Sequence, residues 1–187
     1  MKKLLFLIPI LFFTVFMTDA QAQFEIGASY EVRDESPKNG FGVRVEKGIF
    51  EKFPLVNLRM RAHFSYFSES NNISGGNVSY STDLTSYDFG LALTGGVPIG
   101  LIEPYAGLGL GSESFDLEVK DLQGVGADIQ AGDENNIYWN TFIGARVTII
   151  PLLKPFVEYR YSNYKLSSPD LSDSQNGRIM FGVYLSF

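Results

Sequence analysis

The sequence predicts an all-β chain, an eight-stranded antiparallel up-and-down transmembrane β-barrel, on three observations. Strand-period alternation dominates from residue 24 to the C-terminus, long polar connections take turns with short Pro-bearing ones, and the polar phase is rich in Arg and carboxylate but poor in Lys. Alternation with period two marks strands whose faces meet unlike surroundings. A closed barrel lets such strands cross a bilayer, because every backbone group finds a partner on the next strand.

Eight segments carry the alternation: 24–32, 40–47, 56–67, 79–95, 104–113, 137–149, 155–164 and 178–187. The last is the clearest, with Ile179, Phe181, Val183, Leu185 and Phe187 on one face and Arg178, Met180, Gly182, Tyr184 and Ser186 on the other. Gly/Asn/Ser/Asp-rich stretches follow the odd strands at 33–39, 68–78, 114–136 and 165–177, while 48–55, 96–103 and 150–154 form tighter connections after the even ones. Long loops on one side and short turns on the other is the wiring of a membrane barrel. An even strand number brings both chain ends to the short-turn side. Pro54, Pro104 and Pro155 introduce strands three, five and seven at spacings of 50 and 51 residues, which reads as a repeated hairpin unit. Proline is tolerated there, before a ladder donor is needed.

The polar phase decides which face turns inward. It holds Arg44, Arg59, Arg61, Arg146, Arg160 and Arg178 together with Glu25, Glu31, Glu46, Asp88, Glu103, Glu113, Glu158 and His63. Arg33 falls in a connection, and the mature Lys residues (Lys38, Lys47, Lys52, Lys120, Lys154, Lys165) fall at strand ends or in connections. Guanidinium forks suit confined, multiply bonded ion pairs, whereas a water-facing surface normally mixes in strongly hydrated Lys. Gly27, Gly42, Gly90, Gly107, Gly109, Gly144 and Gly182 share the phase and relieve crowding in a narrow lumen. The opposite phase reads Ile26, Val43, Leu58, Met60, Phe89, Leu91, Leu108, Ile143, Val147, Val157, Phe181 and Val183. A charged interior and an apolar exterior define a membrane barrel and exclude a lipocalin-like soluble one. Tyr30, Tyr66, Trp139 and Tyr161 sit on the apolar phase near the loop-side ends, where an aromatic girdle meets headgroups.

The N-terminus reads as a cleaved secretory signal at 1–22, leaving 23–187 as the barrel. Lys2 and Lys3 precede an apolar run from Leu4 to Met17, and Ala20-Gln21-Ala22 supplies small residues, so cleavage is expected near Ala22. That run of 14 residues, interrupted by Pro9, is shorter than the ~20 of a spanning helix. Removing Lys2, Lys3 and Asp19 takes the formal charge from −6 to −7, which disfavours nucleic acid as a partner. The chain has no Cys and one His, so neither a disulfide framework nor a thiolate or His-cluster metal site is available, and no cofactor is expected.

Pro104-Tyr105-Ala106-Gly107-Leu108-Gly109-Leu110-Gly111, Pro155-Phe156-Val157-Glu158-Tyr159-Arg160-Tyr161 and the terminal Phe187 resemble the outer-membrane protein β-barrel domain family, which includes OmpA-type, OmpX-type and opacity-type barrels. The resemblance covers 23–187 and implies eight strands, residence in the bacterial outer membrane among its lipid and lipopolysaccharide, and insertion by the barrel assembly machinery. It is specific for architecture and carries no activity. Phe181, Val183, Leu185 and Phe187 are the expected insertion signal.

One sequence feature suggests chemistry. His63-Phe64-Ser65 places a His and a Ser on one strand face, a spacing that lipid A deacylases use together with a Glu. Here the pair shares the phase of Arg59 and Arg61 and so points into the lumen, which makes it a member of the ion-pair network. The third long loop is acidic, with Asp116, Glu118, Asp121, Asp128, Asp133 and Glu134 against Lys120, and lacks an EF-hand spacing. Alternation through 114–120 suggests that strand five continues into a projecting hairpin. Eight strands enclose an interior that side chains fill, unlike the ~16–18 of porins. The expectation is a non-enzymatic outer-membrane barrel whose surface loops serve adhesion, environmental contact or envelope integrity, with an unidentified surface partner. A lipid-modifying enzyme and a narrow channel are the alternatives.

Overall fold

The computed structural model describes residues 24–50, 55–75, 78–123, 133–150, 152–164 and 175–187. The expected export segment and its cleavage point lie outside these residues, as do Lys52, Lys165 and the tips of the third and fourth long loops. Eight strands follow in order: β1 (Phe24–Arg33), β2 (Asn39–Phe50), β3 (Asn57–Gly75), β4 (Val78–Gly96), β5 (Ile102–Gln123), β6 (Asp133–Val147), β7 (Leu153–Asn163) and β8 (Gln175–Ser186). Each pairs antiparallel with the next, and β8 returns to β1 to close the barrel. The seam is stitched to its end by Phe187 N–H donating to the Phe24 carbonyl at 2.9 Å. No sheet edge is left within the wall, as a bilayer requires.

Side-chain direction follows the sequence phase. Burial in β1 and β7 alternates almost residue by residue. Phe41, Phe89, Leu108, Ile143 and Phe181 are among the apolar residues that stand outward and exposed. Tyr30, Tyr66 and Trp139 are exposed too, and the rings pair across strands as Tyr30–Phe41, Tyr66–Tyr87 and Trp139–Tyr161.

Three expectations are corrected. The stretch 68–78, read as a loop, is mostly strand: β3 and β4 run 19 residues each, pair without interruption from Asn57↔Gly96 to Gly75↔Val78, and leave only residues 76–77 between them. Beyond the girdle Ser68, Ser70 and Asn71 are exposed and Glu69 half-buried, so Ser/Asn/Glu sequence satisfies a strand that shows no apolar alternation. Strand five also continues, over 22 residues to Gln123, but its outer part pairs with β4 as far as Ser79↔Gln123. Its pairing with β6 stops at Asp116↔Asp133. The projection is therefore a three-stranded sheet, β3–β4–β5, rather than a hairpin of loop three alone. Finally, Arg33 ends β1 with its side chain in the lumen, Lys47 lies within β2 and is buried, Lys120 lies within β5, and Lys154 is a buried residue of β7.

Candidate functional site

The lumen is built by alternate residues of all eight strands, and its charges form four linked tiers. At the short-turn end Glu25 on β1 accepts from Arg146 and Lys154, each at 2.5 Å, and from Ser186 at 2.7 Å. Arg59 grips Glu103 with both terminal nitrogens, at 2.5 and 3.1 Å, the bidentate geometry that an Arg fork favours. Arg146 then reaches Glu46 at 2.9 Å and joins this tier to the next.

In the second tier Arg61 donates to Glu46 and to Glu158, both at 2.7 Å. Tyr184 and Tyr105 donate to the same two carboxylates at 2.6 and 2.9 Å, and Arg44 approaches Glu158 at 3.3 Å. In the third tier Arg178 donates to Asp88 at 2.5 Å and to Glu31 at 3.3 Å, and Tyr138 also donates to Asp88. The fourth lies beneath the external loops, where Glu113 accepts from Arg33 at 2.5 Å and from Ser86 and Tyr164.

Arg44, Arg59, Arg61, Arg146, Arg160 and Arg178 all point inward and are buried, as are Glu25, Glu46, Asp88, Glu103 and Glu158. What sequence reasoning missed, Tyr184 apart, is the aromatic share of the lumen. Arg44 lies 4.5 Å from the Phe156 ring centre, Arg61 4.3 Å from that of Phe142, Arg146 4.6 Å from that of Tyr184 and Arg33 3.5 Å from that of Phe67. Stacking a guanidinium on a ring face offsets part of its lost hydration. The signal was present: Phe156 and Tyr184 share parity with Glu158 and Arg178 on their own strands.

The His63/Ser65 pair is also placed. Both residues are buried on the lumenal face. His63 Nε2 lies 2.7 Å from Arg160 Nη1; a guanidinium can only donate, so Nε2 is the acceptor. The same nitrogen is 3.2 Å from the Tyr138 hydroxyl. Glu69, the acid nearest in sequence, is engaged by the first external loop: it accepts from the Lys38 backbone N–H at 2.9 Å and the Ser36 hydroxyl at 3.3 Å. The three residues do not assemble into a Ser–His–acid relay. Among the described residues no group of His, Cys, Asp or Glu could hold a metal ion.

A closed eight-stranded antiparallel barrel with a charged, hydrogen-bonded interior and an apolar exterior defines the class of small transmembrane β-barrels. The model of the outer membrane protein beta-barrel domain matches residues 6–187, and the chain belongs to that family. The fold is similar to that of a major outer membrane protein from Thermus thermophilus, with TM-score 0.59 and 14% identity over 89% of this chain and 99% of that one. Neisserial surface protein A gives TM-score 0.54 and 14% identity over 89% and 97%. Ail of Yersinia pestis, solved in complex with the heparin analogue sucrose octasulfate, gives 0.54 and 15% over the same shares. No curated protein sequence matches the chain.

Proposed function

We propose that the protein is a non-enzymatic outer-membrane barrel whose working part is the external β3–β4–β5 sheet, used for surface contact. The sheet itself carries this reading. Strands of 19, 19 and 22 residues are roughly twice the ~9–11 that a tilted membrane strand needs. Pairing continues to the two-residue tip, so the excess is ordered sheet with an outer edge on β3 beyond Phe67, where pairing with β2 ends. Such an edge supports strand addition by a partner. The lumen supports the reading from the other side, since side chains from opposite walls meet across it and disfavour a conduit.

Surface charge narrows the partner. In sequence, the long connections and the strand ends they join contain Asp34, Glu35, Glu69, Asp83, Asp116, Glu118, Asp121, Asp128, Asp133, Glu134, Asp170 and Asp173 against Lys38, Lys120 and Lys165. That balance suits a basic surface and disfavours sulfated polyanions of the kind bound to Ail. Replacing residues 69–83 with a short Gly/Ser turn and ending β5 at residue 116 removes the sheet and leaves the wall. We expect the variant to insert and to lose surface binding to host or neighbouring cells. Full retention of binding by a correctly inserted variant overturns the proposal.

The C-terminal strand is proposed as the handle for the barrel assembly machinery. Phe181, Val183, Leu185 and Phe187 form an exposed outward stripe ending at the short-turn rim. Deleting Phe187 is expected to lower outer-membrane levels and leave protein in the periplasm; unchanged insertion overturns this role.

A further inference from the structure

Two of the three short turns of this barrel, β4–β5 and β6–β7, expose apolar side chains among the described residues. The β4–β5 turn exposes Ile99, Leu101 and Ile102 at 65%, 60% and 50%, and the β6–β7 turn exposes Ile149, Ile150 and Leu152 at 62%, 53% and 67%. Turn tips that project into water normally carry Gly, Asn, Asp and Ser. The charged residues nearest these turns do not decorate them. Glu103 and Lys154 are both buried and face the lumen, bonded to Arg59 and to Glu25.

The turn backbones are closed as well. Ile99 and Ile102 exchange N–H···O bonds of 2.8 and 3.2 Å around Gly100, whose φ of +61° permits the tight reversal. Leu153 N–H donates back to the Ile150 carbonyl at 3.2 Å. One carbonyl of each turn, a group that in a solvated turn points at water, is taken up laterally. The Leu101 carbonyl accepts from Thr148 N–H at 2.9 Å and the Leu152 carbonyl from Ser186 N–H at 3.0 Å. Each turn is thus bonded to the strand end or turn beside it, in a chain running β4–β5 turn, β6–β7 turn, β8. Apolar side chains and carbonyls bonded to neighbouring backbone are both features that a hydrocarbon surrounding favours.

We propose that the β4–β5 and β6–β7 turns are immersed in the acyl region of the periplasmic leaflet. The apolar surface is continuous with the established lipid-facing wall, because Ile102 and Leu153 are at once turn residues and the outward first residues of β5 and β7. The barrel therefore sits low, its apolar band wrapping over this part of the periplasmic rim, and the external sheet stands on the opposite side.

The chain has no Cys, so single-cysteine probes are clean. Leu101→Cys and Leu152→Cys carry a polarity-sensitive fluorophore, and the proteins are folded into phosphatidylcholine vesicles with brominated acyl chains. Leu108→Cys on the wall and Lys38→Cys on the loop side are the lipid and water references. The expected result is blue-shifted emission at 101 and 152, with brominated-lipid quenching within about twofold of position 108. Iodide present on both sides of the membrane is expected to leave these two positions bright while quenching position 38. Quenching by iodide as strong as at position 38 overturns the proposal. So does shielding from both quenchers, the signature of a protein or a second copy on the rim. Position 108 reports insertion itself, so failure of the rim and failure of the barrel to insert are distinguished. If a tip variant fails to fold, Ile99→Cys and Ile149→Cys report on the same turns.

Discussion

Arg61 on β3 and Glu158 on β7 meet at 2.7 Å, although their strands lie diametrically opposite in the eight-stranded wall. Both side chains are fully buried, so the bond spans the lumen. The interior of this barrel is a core made of charge, and its stability rests on keeping every carboxylate matched with a guanidinium.

That matching makes Arg61→Met informative. Glu158 keeps Tyr105 and Arg44, and Glu46 keeps Tyr184 and Arg146, but each loses its Arg61 bond. Breaking a buried pair by removing one partner costs about 3–5 kcal/mol, and the remaining partners place this variant near the lower figure. Lys38→Met, at an exposed loop position, is expected to cost ~0–1 kcal/mol. Urea unfolding of the two variants in lipid vesicles checks the difference.

Lumen width gives a second expectation. A Cβ at Gly182 would stand inside the contact distance of the Ala28 carbonyl oxygen and 2.6 Å from the Phe156 ring. The oxygen belongs to the neighbouring strand's backbone and cannot swing aside. Gly182→Ala should therefore destabilise the β1–β8 seam by about 1–3 kcal/mol, the usual range for overpacking. Gly48→Ala, where nothing lies within 4 Å, should be close to neutral. The shift in gel mobility between unheated and boiled samples, followed over a temperature ramp, separates the two.

A pH-dependent link fastens the first external loop to the sheet. Hydrogen bonding by the Lys38 backbone N–H, helped by the Asn71 amide and the Ser36 hydroxyl, holds the exposed Glu69 carboxyl below its usual range. A depressed carboxylate contributes above its unfolded pKa and loses the contribution as pH falls through the folded value. The Lys38 amide should then be protected from hydrogen exchange at neutral pH and lose protection on acidification below the ordinary Glu range. Glu69→Gln should show reduced protection at neutral pH, with little further change on acidification.

The wall was legible because each of its residues meets one of two very different surroundings. Ile179 to Phe187 alternate without exception, and Arg61 can only be a lumen residue once Met60 and Leu58 are lipid-facing. The outer end of β3 was hidden because that contrast ends at the girdle. Residues such as Ser68, Ser70 and Asn71 stand exposed in water, so this part of the strand leaves no period-two trace and its composition imitates a loop. Arg33 was misplaced for a related reason: Asp34-Glu35-Ser36-Pro37 begins a turn, and the last strand residue before it has no apolar neighbour beyond to fix its phase. The lumenal rings were overlooked because Phe156 and Tyr105 look apolar, although their parity matches Glu158 and Glu103.

The acidic long-loop side gives the last expectation. With twelve carboxylates against three lysines in the sequence of the long connections and the strand ends they join, the field above the membrane is expected to be negative even where individual pairs form. A field of that kind speeds encounters with basic partners and repels polyanions, and salt screens it with a Debye length of about 8 Å at physiological ionic strength. Barrel-bearing vesicles of neutral lipid should therefore bind polylysine at low salt and lose most of that binding as salt approaches ~0.15 M. A sulfated polysaccharide should give no binding at either salt. Replacing Asp34, Glu35 and Glu69 by Asn, Gln and Gln should weaken polylysine binding several-fold, while a lumenal substitution that still folds should leave it unchanged. Equal binding by parent and charge-neutralised protein would show that the surface acids do not select the partner.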